Sequence, residues 1–159
     1  MTWQEELAAI VEARTYGQLA ATLPRLVALD ARHPHVAEIN YQIAWTCDVL
    51  GRPAEALPRY EKSVALGLPP NQLSGALLGL GATLAALGRL EQSAEVLRSG
   101  RSQFPEQREF DAFLALTLQR QGRSADAVRL LVDTLCATTD DPGLTACQRA
   151  LRHAAAQLD

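Results

Sequence analysis

Lysine is almost missing from this chain: of its fifteen cationic residues only Lys62 is a lysine, and the acids outnumber the cations to leave a net charge of −3. With no basic excess there is no field to draw in a phosphate backbone or an anionic membrane surface, so nucleic acid and membrane are not expected partners. Cysteine is scarce. Cys47, Cys136 and Cys147 are odd in number and far apart, with neither a CxxC pair nor metal-ligand spacing, and they read as reduced thiols. No apolar run reaches the 18 residues of a membrane span, and Glu5 and Glu6 stand where a signal peptide would carry positive charge, so a cytoplasmic protein is expected. Aromatics make up only 5% and β-branched residues are sparse, which argues against strands.

What remains is alanine and leucine. There are 27 Ala and 26 Leu in 159 residues, with 48% hydrophobic and 21% charged residues overall. Such a chain forms one domain, hides roughly 68–70% of its unfolded surface and is helical throughout. The abundance of Arg and Ala over Lys also hints at a GC-rich bacterial genome.

The helical pattern repeats. Leu50-Gly51-Arg52, Leu87-Gly88-Arg89 and Gln121-Gly122-Arg123 each follow an apolar helical stretch, and their glycines lie 37 and 34 residues apart. A step of 34 backwards lands on Gly17. Leu23-Pro24-Arg25 and Leu57-Pro58-Arg59 are also 34 apart, so two markers share one period. Each unit reads as two helices of about 14 residues around a glycine turn. The units run over residues 3–36, 37–70, 74–107 and 108–141, with Asn71 to Leu73 as a short insertion. Pro34, Pro69 with Pro70, Pro105, and Pro142 with Gly143 stand where units end, because proline cannot donate the next helical hydrogen bond. Pro24 and Pro58 lie inside second helices, which are therefore expected to kink or start late. Leu144, Cys147, Leu151 and Leu158 then recur at helical spacing, giving a capping helix over residues 144–158 that covers the last unit's apolar face.

These residues resemble the tetratricopeptide repeat family, whose 34-residue unit puts small residues where its two helices cross. The family's pattern falls on Ile43, Ala44, Gly51, Ala56, Tyr60 and Ser63, and again on Leu77, Leu80, Gly81, Gly88, Ser93, Leu97, Gly100 and Pro105. It returns at Leu114, Ala115, Leu118, Gly122, Ala127, Leu131 and Thr134. The first unit departs from it, with Ile10 and Leu29 where small residues belong. The resemblance implies an all-α, right-handed α-α superhelix of about four helical hairpins with a C-terminal capping helix. In detail it resembles small bacterial members of unassigned function, and that resemblance implies a possible homodimer.

The resemblance also implies that first helices line a concave groove, and it assigns groove places to Glu38, Tyr41, Gln42, Trp45, Asp48 and Val49. Leu78, Gly79, Ala82 and Ala85 follow, then Glu109, Ala112, Phe113, Leu116, Gln119 and Arg120. Arg120 is the one cation among them, so a clamp for a partner's terminal carboxylate is not expected. The small residues Gly75, Gly79, Ala82, Ala85 and Ala86 are expected to leave room for a polypeptide segment anchored by Tyr41, Trp45 and Phe113. Each aromatic has a core alternative: Trp45 is open to either reading, and for Phe113 burial is expected.

Catalysis, metals and cofactors find no support in the residues. The glycines of Gly79-Leu80-Gly81 lie inside a helical repeat with no strand before them, so they serve packing and not a nucleotide. His33 and His35 flank Pro34 without a third ligand, His153 sits with Arg149 and Arg152 on the last helix, and Cys47 falls at a core place. The expected function is a non-enzymatic module that binds a protein or peptide. The alternatives are a self-associating structural protein and a sensor of short peptides.

Overall fold

The computed structural model describes residues 1–15 and 17–159. Among the described residues there are nine α-helices and no strand. They are α1 (Trp3–Thr15), α2 (Leu19–Arg32), α3 (Ala37–Val49), α4 (Pro53–Leu66), α5 (Pro70–Ala86), α6 (Leu90–Gln103), α7 (Glu109–Arg120), α8 (Ser124–Thr138) and α9 (Pro142–Ala156). The chain divides into two compact units, Met1–Leu87 and Gly88–Asp159.

The Gly-Arg pairs mark how first helices stop. Gly51 has φ +72 and Gly122 φ +78, a left-handed conformation open to glycine at no steric cost. In both, the glycine N–H bonds back to the carbonyl three residues earlier and the following arginine N–H to the carbonyl five residues earlier: Gly51 to Asp48, Arg52 to Cys47, Gly122 to Gln119, Arg123 to Leu118. This pairing satisfies carbonyls that the helix end would leave bare, and the chain reverses within three residues.

In unit 1 each helix packs on the next, and α3 also touches α5. Ile10, Leu26, Leu29, Ile39, Ile43 and Tyr60 form the core, none more than 2% exposed. Ala44, Ala56 and Ser63 are wholly buried, so the α3 and α4 backbones approach closely. Ile10 and Leu29 hold the register places of Ala44 and Ser63 and are just as buried, so α1 and α2 fill with side-chain volume what the next pair fills with backbone. A polar knot ties three helices: Asp30 on α2 accepts from Arg59 on α4 at 2.6 Å and from Asn40 on α3 at 3.2 Å.

In unit 2 the buried residues are Leu97, Phe110, Leu114, Ala115, Leu118 and Ala127. Phe110 lies over Gly100, where a β-carbon would stand 2.1 Å from its ring, and it stacks on Phe104 at 6.4 Å. On the other side α9 packs on α8: Gln148 donates to the Cys136 carbonyl at 3.0 Å and Arg129 Nε to the Ala155 carbonyl at 3.1 Å.

Four expectations need correction. Pro70 does not end a unit; at the first helical position it starts α5, and the inserted Asn71 to Leu73 form the first turn of that helix. Pro142 does the same for α9, helped by Asp141, whose carboxylate accepts from Leu144 N–H at 2.9 Å. The last helix thus runs two residues earlier than its leucines indicate, and exposed Leu158 lies beyond it. Neither Pro24 nor Pro58 delays its helix: α2 starts at Leu19 and α4 at Pro53, since the carbonyls each ring leaves unpaired belong to exposed Ala20 and Ala54, within reach of water. The cap is also partial. Val128, Leu131 and Leu135 on α8 remain 42–43% exposed beside α9.

Candidate functional site

In unit 1 the first helices α1, α3 and α5 present one face. Glu38, Tyr41, Gln42 and Trp45 lie along α3, half-buried, and Leu78 and Ala82 lie half-buried along α5. Arg14 of α1 draws three of them together. Its guanidinium stacks over the Trp45 ring at 3.8 Å from the centroid and donates to Gln42 Oε1 at 2.8 Å. Its charge also lowers the Tyr41 phenol pKa, although burial pushes that phenol up on balance. A cation on an indole face contributes about 0.5–1 kcal/mol at a partly exposed site, so Arg14 is a real cover for Trp45.

The floor between the aromatics is occupied. A β-carbon on Gly75 would meet Tyr41 Oη at 2.3 Å, and one on Gly79 would meet the Tyr60 ring at 2.4 Å. The expected room beside Gly75 and Gly79 is therefore filled by the chain's own tyrosines. Tyr60 is anchored beneath: its hydroxyl donates to Asp48 Oδ2 at 3.3 Å, and Thr83 donates to the same oxygen at 3.0 Å. Burial pushes the Asp48 carboxyl up and these two donors hold it down. Asp48, assigned to the lining, is thus a structural acceptor.

The open space lies one step towards the N-terminus. A cavity of about 300 Å³ is bounded by Trp3, Gln4, Leu7, Ala8 and Val11 of α1, Glu38 and Gln42 of α3, and Gln72 of α5. Apart from Gln4 its wall is apolar on the α1 side, and it carries amides and a carboxylate on the other. Gln72 Oε1 is buried without a hydrogen-bond partner among the described residues. Trp3, Leu7, Val11, Arg14 and Gln72 were not among the expected lining residues.

In unit 2, α7 presents Phe113 (39% exposed), Leu116 (60% exposed) and exposed Arg120. Phe113, expected to be packed, is 39% exposed, while Phe110 three residues earlier takes the core place over Gly100. Among the described residues no group of three or more His, Cys, Asp or Glu is close enough to hold a metal, and no helix is long and apolar enough to cross a membrane.

A tetratrico peptide repeat family model matches residues 37–158. The chain belongs to the tetratricopeptide repeat family. Similar solved structures include YrrB, described as a TPR protein with an unusual peptide-binding site, at TM-score 0.76 and 15% identity over 94% of this chain and 75% of that one. A MamA structure matches at TM-score 0.76 and 15% identity, over 98% of this chain and 86% of that one. Pseudomonas aeruginosa pilF matches at 0.71 and 16%, over 96% and 68%. At these identities the likeness shows the fold, an all-α helical-repeat solenoid. No curated protein matches significantly. Membership places the chain among protein-protein interaction modules, which are generally non-enzymatic.

The tetratricopeptide register also explains where the cavity comes from. Gln4, Leu7, Ala8 and Val11 stand exactly one period, 34 residues, before Glu38, Tyr41, Gln42 and Trp45. The α1 wall is the first unit's version of the lining expected on α3. Where α3 carries Tyr and Trp, α1 carries Leu and Val, and the smaller side chains leave the space open.

Proposed function

We propose that this tetratricopeptide repeat protein is a non-enzymatic module that holds a polypeptide segment on the first-helix face of unit 1. The observation that carries this reading is the 300 Å³ cavity with its apolar α1 wall and the unsatisfied Gln72 Oε1. An apolar side chain of the segment enters between Trp3, Leu7 and Val11, and N–H donors of the segment meet Glu38 and Gln72. Tyr41 and Trp45 form the shoulder of this site, with Leu78 and Ala82 further along α5. Phe113, Leu116 and Arg120 offer unit 2's own contact surface on α7. The peptide-binding site described for YrrB supports the class of ligand.

The test is a peptide selected from a random display library on the whole chain, its affinity then measured by fluorescence anisotropy. Trp3→Ala and Val11→Glu are each expected to weaken it by at least tenfold, since aromatic and apolar anchors in desolvated pockets commonly contribute about 2 kcal/mol or more. Unchanged affinity in both variants sinks the reading.

A second reading, self-association, is favoured by one observation: the exposed Val128, Leu131 and Leu135 stripe on α8. Leu131→Glu then lowers the mass measured by analytical ultracentrifugation and leaves peptide affinity unchanged.

A further inference from the structure

A second cavity, of about 340 Å³, lies wholly within unit 2 and is lined by Arg98, Arg101, Ser102, Pro105 and Arg108. Three guanidinium groups around one hollow are unusual in a chain of net charge −3. Two of them are held from below by one carboxylate. Asp111 is 2% exposed and pairs with Arg101 through Oδ1 and with Arg108 through Oδ2, the latter at 3.4 Å. Its Oδ2 also accepts from Thr134 at 3.3 Å.

A donor count shows what is left over. Each guanidinium has five N–H donors, whereas a carboxylate offers about four lone-pair sites, one of which Thr134 uses here. Asp111 therefore positions Arg101 and Arg108 without saturating them, and Arg98 adds a third set. Three positive charges against one negative leave two, which matches a dianion. Exposed Glu106 and Glu109 are near in sequence but do not line the cavity.

The repeat shows that the fold does not require this cluster. At the matching register, Arg98 is replaced by Val27, Glu61 and Val132, and Arg101 by Asp30, Val64 and Leu135. Asp30 is the informative case. Arg101 and Asp111 stand 71 residues after Asp30 and Asn40, so both units hold a polar pair at this place, a carboxylate with an amide in unit 1 and a guanidinium with a carboxylate in unit 2. In unit 1 the buried carboxylate on the second helix draws in Arg59, 28% exposed; in unit 2 the buried carboxylate comes from the first helix of the next pair, and Arg101 and Arg108 are 49% and 43% exposed.

We propose that this cavity is a binding site for a phosphate-class dianion, taken by the fork geometry of Arg98, Arg101 and Arg108 with the Ser102 hydroxyl. The dianion is either a free phosphate compound or a phosphorylated side chain, and the ligands of the test separate the two. Calorimetric titration of the whole chain at low ionic strength uses inorganic phosphate, a phosphoserine peptide and the same peptide with unmodified serine. Saturable binding of phosphate at one site is expected. Arg98→Gln weakens it at least tenfold; this variant leaves the Asp111 ion pairs intact and so keeps the fold. Arg25→Gln, which removes an exposed cation from unit 1, leaves it unchanged. A phosphopeptide at least tenfold tighter than inorganic phosphate supports the site with a polypeptide as source, and equal affinities support it with a free compound. Three results overturn it: no saturation, equal loss in Arg25→Gln, or unmodified peptide binding as tightly as its phosphorylated form.

Discussion

Gly100→Ala tests the packing of unit 2 at its tightest point. The added methyl would stand 2.1 Å from Phe110 Cε1, 2.6 Å from Cζ and 2.7 Å from Cδ1, so a fully buried ring must retreat by more than an ångström. Phe104 lies nearly parallel to the same ring, with 6.4 Å between centroids, so any retreat has to be shared with a second aromatic. Overpacking a core costs about 1–3 kcal/mol, and contact with three ring atoms puts this case near the top, about 3. Alanine in place of glycine within α6 returns up to about 1 kcal/mol of helix propensity. A net loss of about 2 kcal/mol follows, or a fall in Tm of roughly 4–8 °C at this chain length. The internal control is Gly75→Ala, where the clash is with the tip of half-buried Tyr41, which can swing aside; that variant is expected within about 0.5 kcal/mol of the parent. Urea unfolding followed by circular dichroism measures both. Phe110→Leu in the Gly100→Ala background should recover at least about 1 kcal/mol relative to additivity. A neutral or stabilising Gly100→Ala, or strict additivity with Phe110→Leu, would refute the argument.

Two further outcomes follow from burial. Burial raises the Asp48 carboxyl pKa above its unfolded value, so the folded state binds the proton more tightly and stability rises as pH falls through the folded pKa. Above that pKa the desolvated charge is a cost, and Asp48→Asn, which still offers an oxygen to Thr83 and Tyr60, should raise Tm at pH 7–8 with a gain that shrinks on acidification. A destabilised variant whose deficit is the same at every pH would contradict this. Among the three thiols, Cys147 is exposed while Cys47 and Cys136 are buried, and burial pushes the Cys47 thiol up, further from the reactive thiolate. One equivalent of a thiol reagent is therefore expected to react with the native protein and three after unfolding; fast reaction of two or more natively would show that α3 or α8 opens.

The helices were legible because two kinds of residue agreed. Alanine and leucine at 3.6-residue spacing mark their faces, and the glycines before Arg52 and Arg123 mark their ends, where left-handed backbone is needed. Proline was ambiguous for a physical reason. It bars the bond to the residue four before it, so Pro70 and Pro142 look like stops, yet at a first helical position that bond does not exist and the same residues begin α5 and α9. A unit end placed at Pro70 and a cap begun two residues late both come from that single property.

The site divides along a different line. Register says which face a residue is on, and subtracting 34 from Glu38, Tyr41, Gln42 and Trp45 would have recovered four of the cavity's walls on α1. Register does not say how far a side chain reaches. Arg14 stands one period before Asp48, on the expected face, but that its guanidinium covers Trp45 depends on a long stem folding back across to α3. Gly75 and Gly79 make the complementary point. A glycine advertises missing volume, and whether that volume stays open depends on which large neighbour is aimed at it; here Tyr41 and Tyr60, both from other helices, close it. Open space persisted instead where the neighbours are Leu7 and Val11, too short to cross the gap that an aromatic pair would have filled. Enlarging that wall is thus the sharpest way to ask whether the gap is used: Val11→Trp should restore on α1 what Trp45 is on α3, fill the cavity and expel any bound segment, while leaving the core residue Ile10 beside it undisturbed.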